Sequence, residues 1–186
     1  MRHWWRIGSK TVPVRLRFLI GICGLVLLVG VYATCIEPER MVIHRQTVVL
    51  NHWPPELAGF AIAVLSDFHV SNTTAGTARL RRAVAAANAL NPDLIVLLGD
   101  FIGPRYGGDA NASPAAIAAI LRDLHAPNGI FCVLGNHDWW SDGEAMTAEL
   151  EKNGIPVLEN ECVSVPVGDR RFNLLGLPDL DTRHAC

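Results

Sequence analysis

Cysteine is scarce in this chain and unpaired. Its five copies, Cys23, Cys35, Cys132, Cys162 and Cys186, are odd in number and far apart. They make neither a disulfide framework nor the paired spacing that holds structural zinc. Cys23 and Cys35 fall in an apolar segment and Cys132 in an aliphatic run, positions suited to small buried hydrophobes. Internal repeats and low-complexity tracts are missing too, which excludes a solenoid. With 186 residues, half of them hydrophobic, the chain has enough for one domain with a substantial core plus an appendage. Acidic residues are absent from positions 1–17, which hold Arg2, Arg6, Lys10, Arg15 and Arg17, so the formal charge of −2 becomes −7 on residues 18–186. No nucleic-acid partner is expected, because that binding depends on lysines and arginines displacing phosphate counterions.

Charge disappears altogether from Phe18 to Ile36. At about 1.5 Å per residue a helix of this length nearly spans a hydrocarbon layer of about 30 Å. Five positive charges precede it and Glu37, Glu39 and Arg40 follow, so the positive-inside rule puts the N-terminus in the cytoplasm and the folded part outside. A cleaved signal peptide would need a shorter apolar core and a small-residue cleavage site, and Tyr32-Ala33-Thr34 is a poor one. The organisation expected is a basic cytoplasmic N-terminus at 1–17, a transmembrane helix or signal anchor at 18–36, a linker with an edge strand at 37–52, and the folded domain at 53–186. Alternating Val42, Val48 and Leu50 suggest the edge strand within Met41–Leu50.

Three short apolar runs lack alternation: Ala61–Leu65, Leu94–Leu98 and Ile130–Leu134. Such runs mark strands covered on both faces of a parallel sheet. Between them, Leu80, Val84 and Ala87 recur at helical spacing within Arg79–Leu90, and Asn91-Pro92 stops that helix. Tyr106–Asp109 reads as a loop. Ser113-Pro114 then supplies an N-cap with proline at the first helical position, ahead of Ile117, Ile120, Leu121 and Leu124 on one face. A third helix is expected from a Ser141/Glu144 capping box to about Gly154, followed by a short strand at Pro156–Leu158. Cys162–Val167 and Arg171–Leu175 flank Gly168-Asp169, a hairpin signal. Strand-helix alternation followed by hairpin strands describes an α/β layered sheet with flanking helices.

Each apolar run ends in metal-ligand chemistry: Asp67 and His69 after the first, Gly99-Asp100 after the second, Gly135-Asn136-His137-Asp138 after the third. The carboxyl ends of parallel strands are where sites are built. In an extended segment, Asp67 and His69 would point to the same side. Carboxylate, imidazole and carboxamide together suit Mn, Fe or Zn, and a carboxylate such as Asp100 can bridge two ions. A bridging hydroxide attacking phosphorus, with His137 protonating the leaving oxygen and Asp138 orienting its ring, would accomplish phosphoester hydrolysis.

These motifs resemble the calcineurin-like metallophosphoesterase family, whose pattern runs Asp-x-His, Gly-Asp, Gly-Asn-His-Asp/Glu and a later Gly-His-x-His. The anchor and the Asp138-Trp139-Trp140 context resemble its bacterial membrane-associated branch. The resemblance implies two divalent ions, the first held by Asp67, His69 and Asp100, the second by Asp100 and Asn136, with His137 as the catalytic acid. It further implies a phosphoester substrate; the acidic domain and the membrane tether fit a lipid- or envelope-derived one, and the anchor with its flanking charges is expected to place the chain as a single-pass protein in the inner cell membrane. No Gly-His-x-His follows, and His184 is the only later histidine. The chain is therefore expected to be C-terminally truncated, with an incomplete second half, exposed apolar surface and poor stability. Two alternatives accompany the hydrolase: an inactive remnant binding at most one metal, and a membrane-tethered interaction module.

Overall fold

A computed structural model describes residues 13–103 and 110–182. Arg2, Arg6, Lys10, the 106–109 loop, His184 and Cys186 lie outside the described residues. The chain divides into two compact units, Met1–Gln46 and Thr47–Cys186.

In the first unit, helix α1 runs Val14–Val31 and continues through a wide π turn, Tyr32–Ile36, into a 3₁₀ turn, Glu37–Glu39. The helical span Val14–Ile36, 23 residues, is long and apolar enough to cross a membrane. At its end Arg40 donates to the Tyr32 hydroxyl at 2.9 Å and to the Glu37 carboxylate at 3.1 Å. The edge strand expected within Met41–Leu50 is not formed, and these residues carry no strand pairing. A period of two states which faces a strand would have; it does not supply the neighbour that a ladder needs.

The second unit is built on a three-stranded parallel sheet of β1 (Ile62–Leu65), β2 (Leu94–Leu97) and β3 (Ile130–Cys132), in that spatial order. Register aligns Leu65 with Leu97 and Leu97 with Cys132, so all three strands end at one level. A single parallel bridge, Cys132 to Val157, stands where a fourth strand was expected. Helices α2 (Thr74–Ala89), α3 (Pro114–Leu121) and α4 (Asn136–Lys152) connect and follow the strands. Their apolar residues Leu80, Val84, Ile117, Leu121, Met146 and Leu150 share one core with Ala63, Ile95, Leu97 and Cys132 of the sheet.

Helix α2 begins five residues before the expected Arg79. Thr73 caps it by accepting the Gly76 amide, which carries the helix through a Thr-Ala-Gly-Thr stretch of modest propensity. Helix α3 starts as expected, with Ser113 Oγ accepting from the Ala116 amide at 3.2 Å. The hairpin is also present, as β4 (Glu161–Val167) paired antiparallel with β5 (Arg170–Gly176). Phe172 of β5 sits against Phe60 and Trp53 at ring separations of 5.2 and 5.8 Å.

Coverage of the sheet is one-sided at its edge, contrary to what the unbroken apolar run of β1 suggested. Ile62, Val64 and Leu98 are exposed, while Ala63 and Leu97, on the helix side, are buried. An apolar run makes covering both faces favourable without providing the second layer. Truncation should therefore cost very different amounts on the two faces. Leu97→Ala is expected to destabilise by about 2–5 kcal/mol. Val64→Ala is expected to lose less than about 1 kcal/mol, and chemical-denaturation midpoints of the two variants check the contrast.

Candidate functional site

Beyond their last paired residues, β1 and β2 stay side by side. The amides of Asp67, His69 and Val70 donate to the carbonyls of Gly99, Asp100 and Phe101 at 3.2, 3.0 and 2.8 Å. Beneath this double exit Phe68 stacks on Phe101, rings 5.5 Å apart and inclined by 7°. Asp67, His69 and Asp100 all adopt left-handed backbone conformations, with φ of 57°, 44° and 55°. Three such residues at one place are a local strain held by the surrounding ladder, of the kind found at functional sites. The segment is thus not extended at Asp67 and His69, and the same-side argument made for them does not apply. Two left-handed residues bring them together instead.

Nε2 of His69 lies 3.8 Å from Asp67 Oδ1 and 3.7 Å from Asp100 Oδ2. Two ligands of one ion, each bonded at about 2.0–2.2 Å, stand at roughly such separations. The ligand atoms of His69, Asp100 and His137 all lie within 4.8 Å of one another and form a candidate metal-binding group. Imidazole and carboxylate donors together fit a divalent ion of the Mn, Fe or Zn type. His137, read from the sequence as the acid, thus stands at ligand distance, while Asp67 adjoins the group through His69. Asn136 is the first residue of α4.

Glycines set these separations. A Cβ on Gly135 would run into the Asp100 carboxylate, and one on Gly99, whose φ is +83°, into the main chain of Leu134 and Gly135. The Gly-Asp and Gly-Asn-His-Asp motifs are therefore two halves of one close backbone approach. Across that approach the His137 amide donates to Asp100 Oδ1 at 3.1 Å. Sequence reasoning missed Gly103, where a Cβ would press on the His69 ring. Its carbonyl accepts from Asn111 Nδ2 at 2.9 Å. A glycine three residues beyond Asp100 was its only signal.

Asp138 does not take the role that its place beside His137 suggested. Its Oδ2 accepts from the amides of Asp100 at 2.8 Å and Gly135 at 3.1 Å, and its Oδ1 from the Ile102 amide at 3.0 Å. Both oxygens are committed to main-chain donors, so Asp138 clamps the β2 exit to the start of α4 and does not orient the His137 ring. The bond to Gly135 is the reaching-back half of a capping box. The side chain is buried. Burial pushes its carboxyl above the ordinary range, against the pull of the three amides, and the nearby Asp100 charge adds to the rise. The expected Ser141 cap is likewise replaced. Asp142, with non-helical φ and ψ, breaks α4, and its Oδ1 accepts the Ala145 amide at 3.0 Å. Cys132 behaves as the buried hydrophobe expected, and burial pushes its thiol well above the usual range.

Replacing Asp138 with asparagine keeps the shape and sets an NH2 against at least one inward-pointing amide. The expected cost is about 1–3 kcal/mol, read as a thermal midpoint lowered by a few to about 10 °C.

The calcineurin-like phosphoesterase family model matches residues 60–182. The chain belongs to that family. As a calcineurin-like phosphoesterase it is 30% identical over 151 residues to the uncharacterized metallophosphoesterase YkuE of Bacillus subtilis, covering 80% of this chain and 51% of that protein. It is 33% identical over 135 residues to a transmembrane protein with metallophosphoesterase domain from Danio rerio, covering 70% and 29% respectively. It is 31% identical over 121 residues to the UDP-2,3-diacylglucosamine pyrophosphatase LpxG of Chlamydia trachomatis, covering 65% and 35%. This phosphoesterase chain thus spans 29–51% of the length of these three relatives.

Proposed function

We propose that this chain is a membrane-anchored, metal-dependent phosphoester hydrolase whose site is the junction of the three strand ends in a domain spanning residues 53–186. The observation that carries this reading is the approach of His69, Asp100 and His137 to within 4.8 Å of one another in a chain of this family. Asp67, His69 and Asp100 would hold one divalent ion, and Asp100 with Asn136 would contribute to a second; Mn, Fe and Zn suit these donors. Bound there, such ions make water a nucleophile at neutral pH and offset charge developing on phosphoryl oxygens.

The protein's own groups do the rest. Asp100 is held between His69 and the His137 amide. The positive dipole end of α4, at its amino terminus, favours an anionic phosphoryl group beside it. The His137 imidazole protonates the leaving oxygen, and Asp138 keeps the two loops in register. Anchoring follows from the Val14–Ile36 helix. The basic residues before it and the acids after it support a cytoplasmic N-terminus and a domain outside the cell membrane. The relative that acts on UDP-2,3-diacylglucosamine supports a lipid- or envelope-derived substrate.

Detergent-solubilised full chain with Mn2+ is expected to release p-nitrophenol from bis(p-nitrophenyl) phosphate and to stop on chelation. His137→Ala should slow release by about 10²–10⁴-fold. Release that survives chelation, or an unslowed His137 variant, would overturn the proposal. A second reading, a chain binding at most one ion and lacking turnover, is favoured by a specific observation: the described residues gather one candidate group of three ligands. Metal analysis finding two ions per chain would remove it.

A further inference from the structure

We propose that Trp140 is a substrate-positioning residue, its indole a shelf beside His137 for the apolar group that a phosphoester carries next to its phosphate; this rests on the phosphoester reading above. Trp139 and Trp140 are successive residues of α4, and a turn of about 100° per residue sends them different ways. Trp139 is partly buried against the core and packs over Gly143, where a Cβ would collide with its ring. Trp140 remains 64% exposed. Its ring lies 5.0 Å from that of His137 at an interplanar angle of 79°, and His137 in turn lies 5.2 Å from His69.

An indole left this open contributes little of the burial that makes tryptophan useful to a core. Set against a cluster of imidazoles and carboxylates, it supplies the apolar wall that ligand sites combine with a few polar groups. The His69, Asp100 and His137 group would receive the phosphate, and the His137–Trp140 contact fixes the indole at that group's border. A flat ring or the first carbons of an acyl chain attached to the phosphate would lie on it. The substrate class is therefore a phosphoester with an apolar or planar substituent, in preference to one carrying only small polar groups.

Phosphonates test this without turnover, since their carbon–phosphorus bond is not hydrolysed. Methyl-, butyl- and phenylphosphonate are titrated calorimetrically into the full chain in detergent with Mn2+. Phenyl- or butylphosphonate should bind roughly three- to tenfold more tightly than methylphosphonate. Trp140→Ala should bring that ratio to about one while methylphosphonate affinity stays within about twofold, and Trp140→Phe should restore most of the preference. A larger gain for phenyl identifies a ring as the natural occupant, and an equal or larger gain for butyl an acyl chain; both support the shelf. A ratio near one in the native chain, a ratio unchanged by Trp140→Ala, or an equal loss for all three ligands would overturn it and leave the phosphoester reading standing. Failure of methylphosphonate itself to bind would bring down both.

Discussion

Asp100→Asn is expected to lower Mn2+ affinity by more than about 100-fold and to remove phosphodiester hydrolysis, with the fold retained. Partners that only support a metal ligand already cost about 10–100-fold when lost. Asp100 is more central than that: its Oδ2 faces His69 Nε2 at 3.7 Å, and its Oδ1 accepts the His137 amide at 3.1 Å. Asparagine is the informative replacement. It tolerates the left-handed φ of 55° and can still accept the amide with its carbonyl oxygen, so mainly the negative charge is removed. Alanine would add a backbone penalty of about 1–2 kcal/mol at that φ and confuse folding with ligation. The measurement pairs a Mn2+ titration with a thermal melt, and the affinity should collapse while the midpoint moves little.

Alanine at Gly99 or Gly135 is expected to disable the site from the backbone side. At Gly135 the new methyl would meet the Asp100 carboxylate, and relief requires the two strand exits to part. Overpacking of this kind costs about 1–3 kcal/mol, and a ligand displaced by about 1 Å costs on the order of 10²-fold in rate. Gly99 is worse placed. Its φ of +83° adds about 1–2 kcal/mol for any side chain, and its neighbours across the gap are main-chain atoms, which cannot rotate away. Gly99→Ala should therefore destabilise by about 2–5 kcal/mol in total, more than the about 1–3 kcal/mol of Gly135→Ala, while both lower hydrolysis. Denaturant midpoints measured alongside activity separate the two effects. Equal stability of Gly99→Ala and the native chain would show that the two exits do not approach as described.

Much of this arrangement was legible because its signals are local. Unbroken aliphatic runs ending in an acid, two of them through a glycine, marked the three strands, and Ser113-Pro114 marked the start of α3, where Ser113 does cap. Gly168-Asp169 marked the hairpin turn between β4 and β5. What escaped depends on neighbours distant in sequence. Asp138 stands next to His137 in the chain and looked like its partner. Folding turns it under the first turn of α4, onto amides of residues 100 and 102, and its role is a clamp. The left-handed backbone at Asp67, His69 and Asp100 is imposed by the paired exits of β1 and β2, which no spacing rule anticipates. Trp139 and Trp140 are indistinguishable as letters, and only the helix phase separates the packed ring from the exposed one. The strand expected within Met41–Leu50 had the right alternation and no partner.

If the three strand ends form a single metal-binding junction, its central carboxylate, Asp100, must govern ion binding. Equilibrium titration of Mn2+ into the full chain in detergent, run in parallel on the native protein and on Asp100→Asn, tests it most directly. Saturable binding of at least one ion per native chain, lost in the variant with the melt unchanged, is the predicted result. Native protein that binds no ion, or a variant that binds as tightly as the native chain, would contradict it.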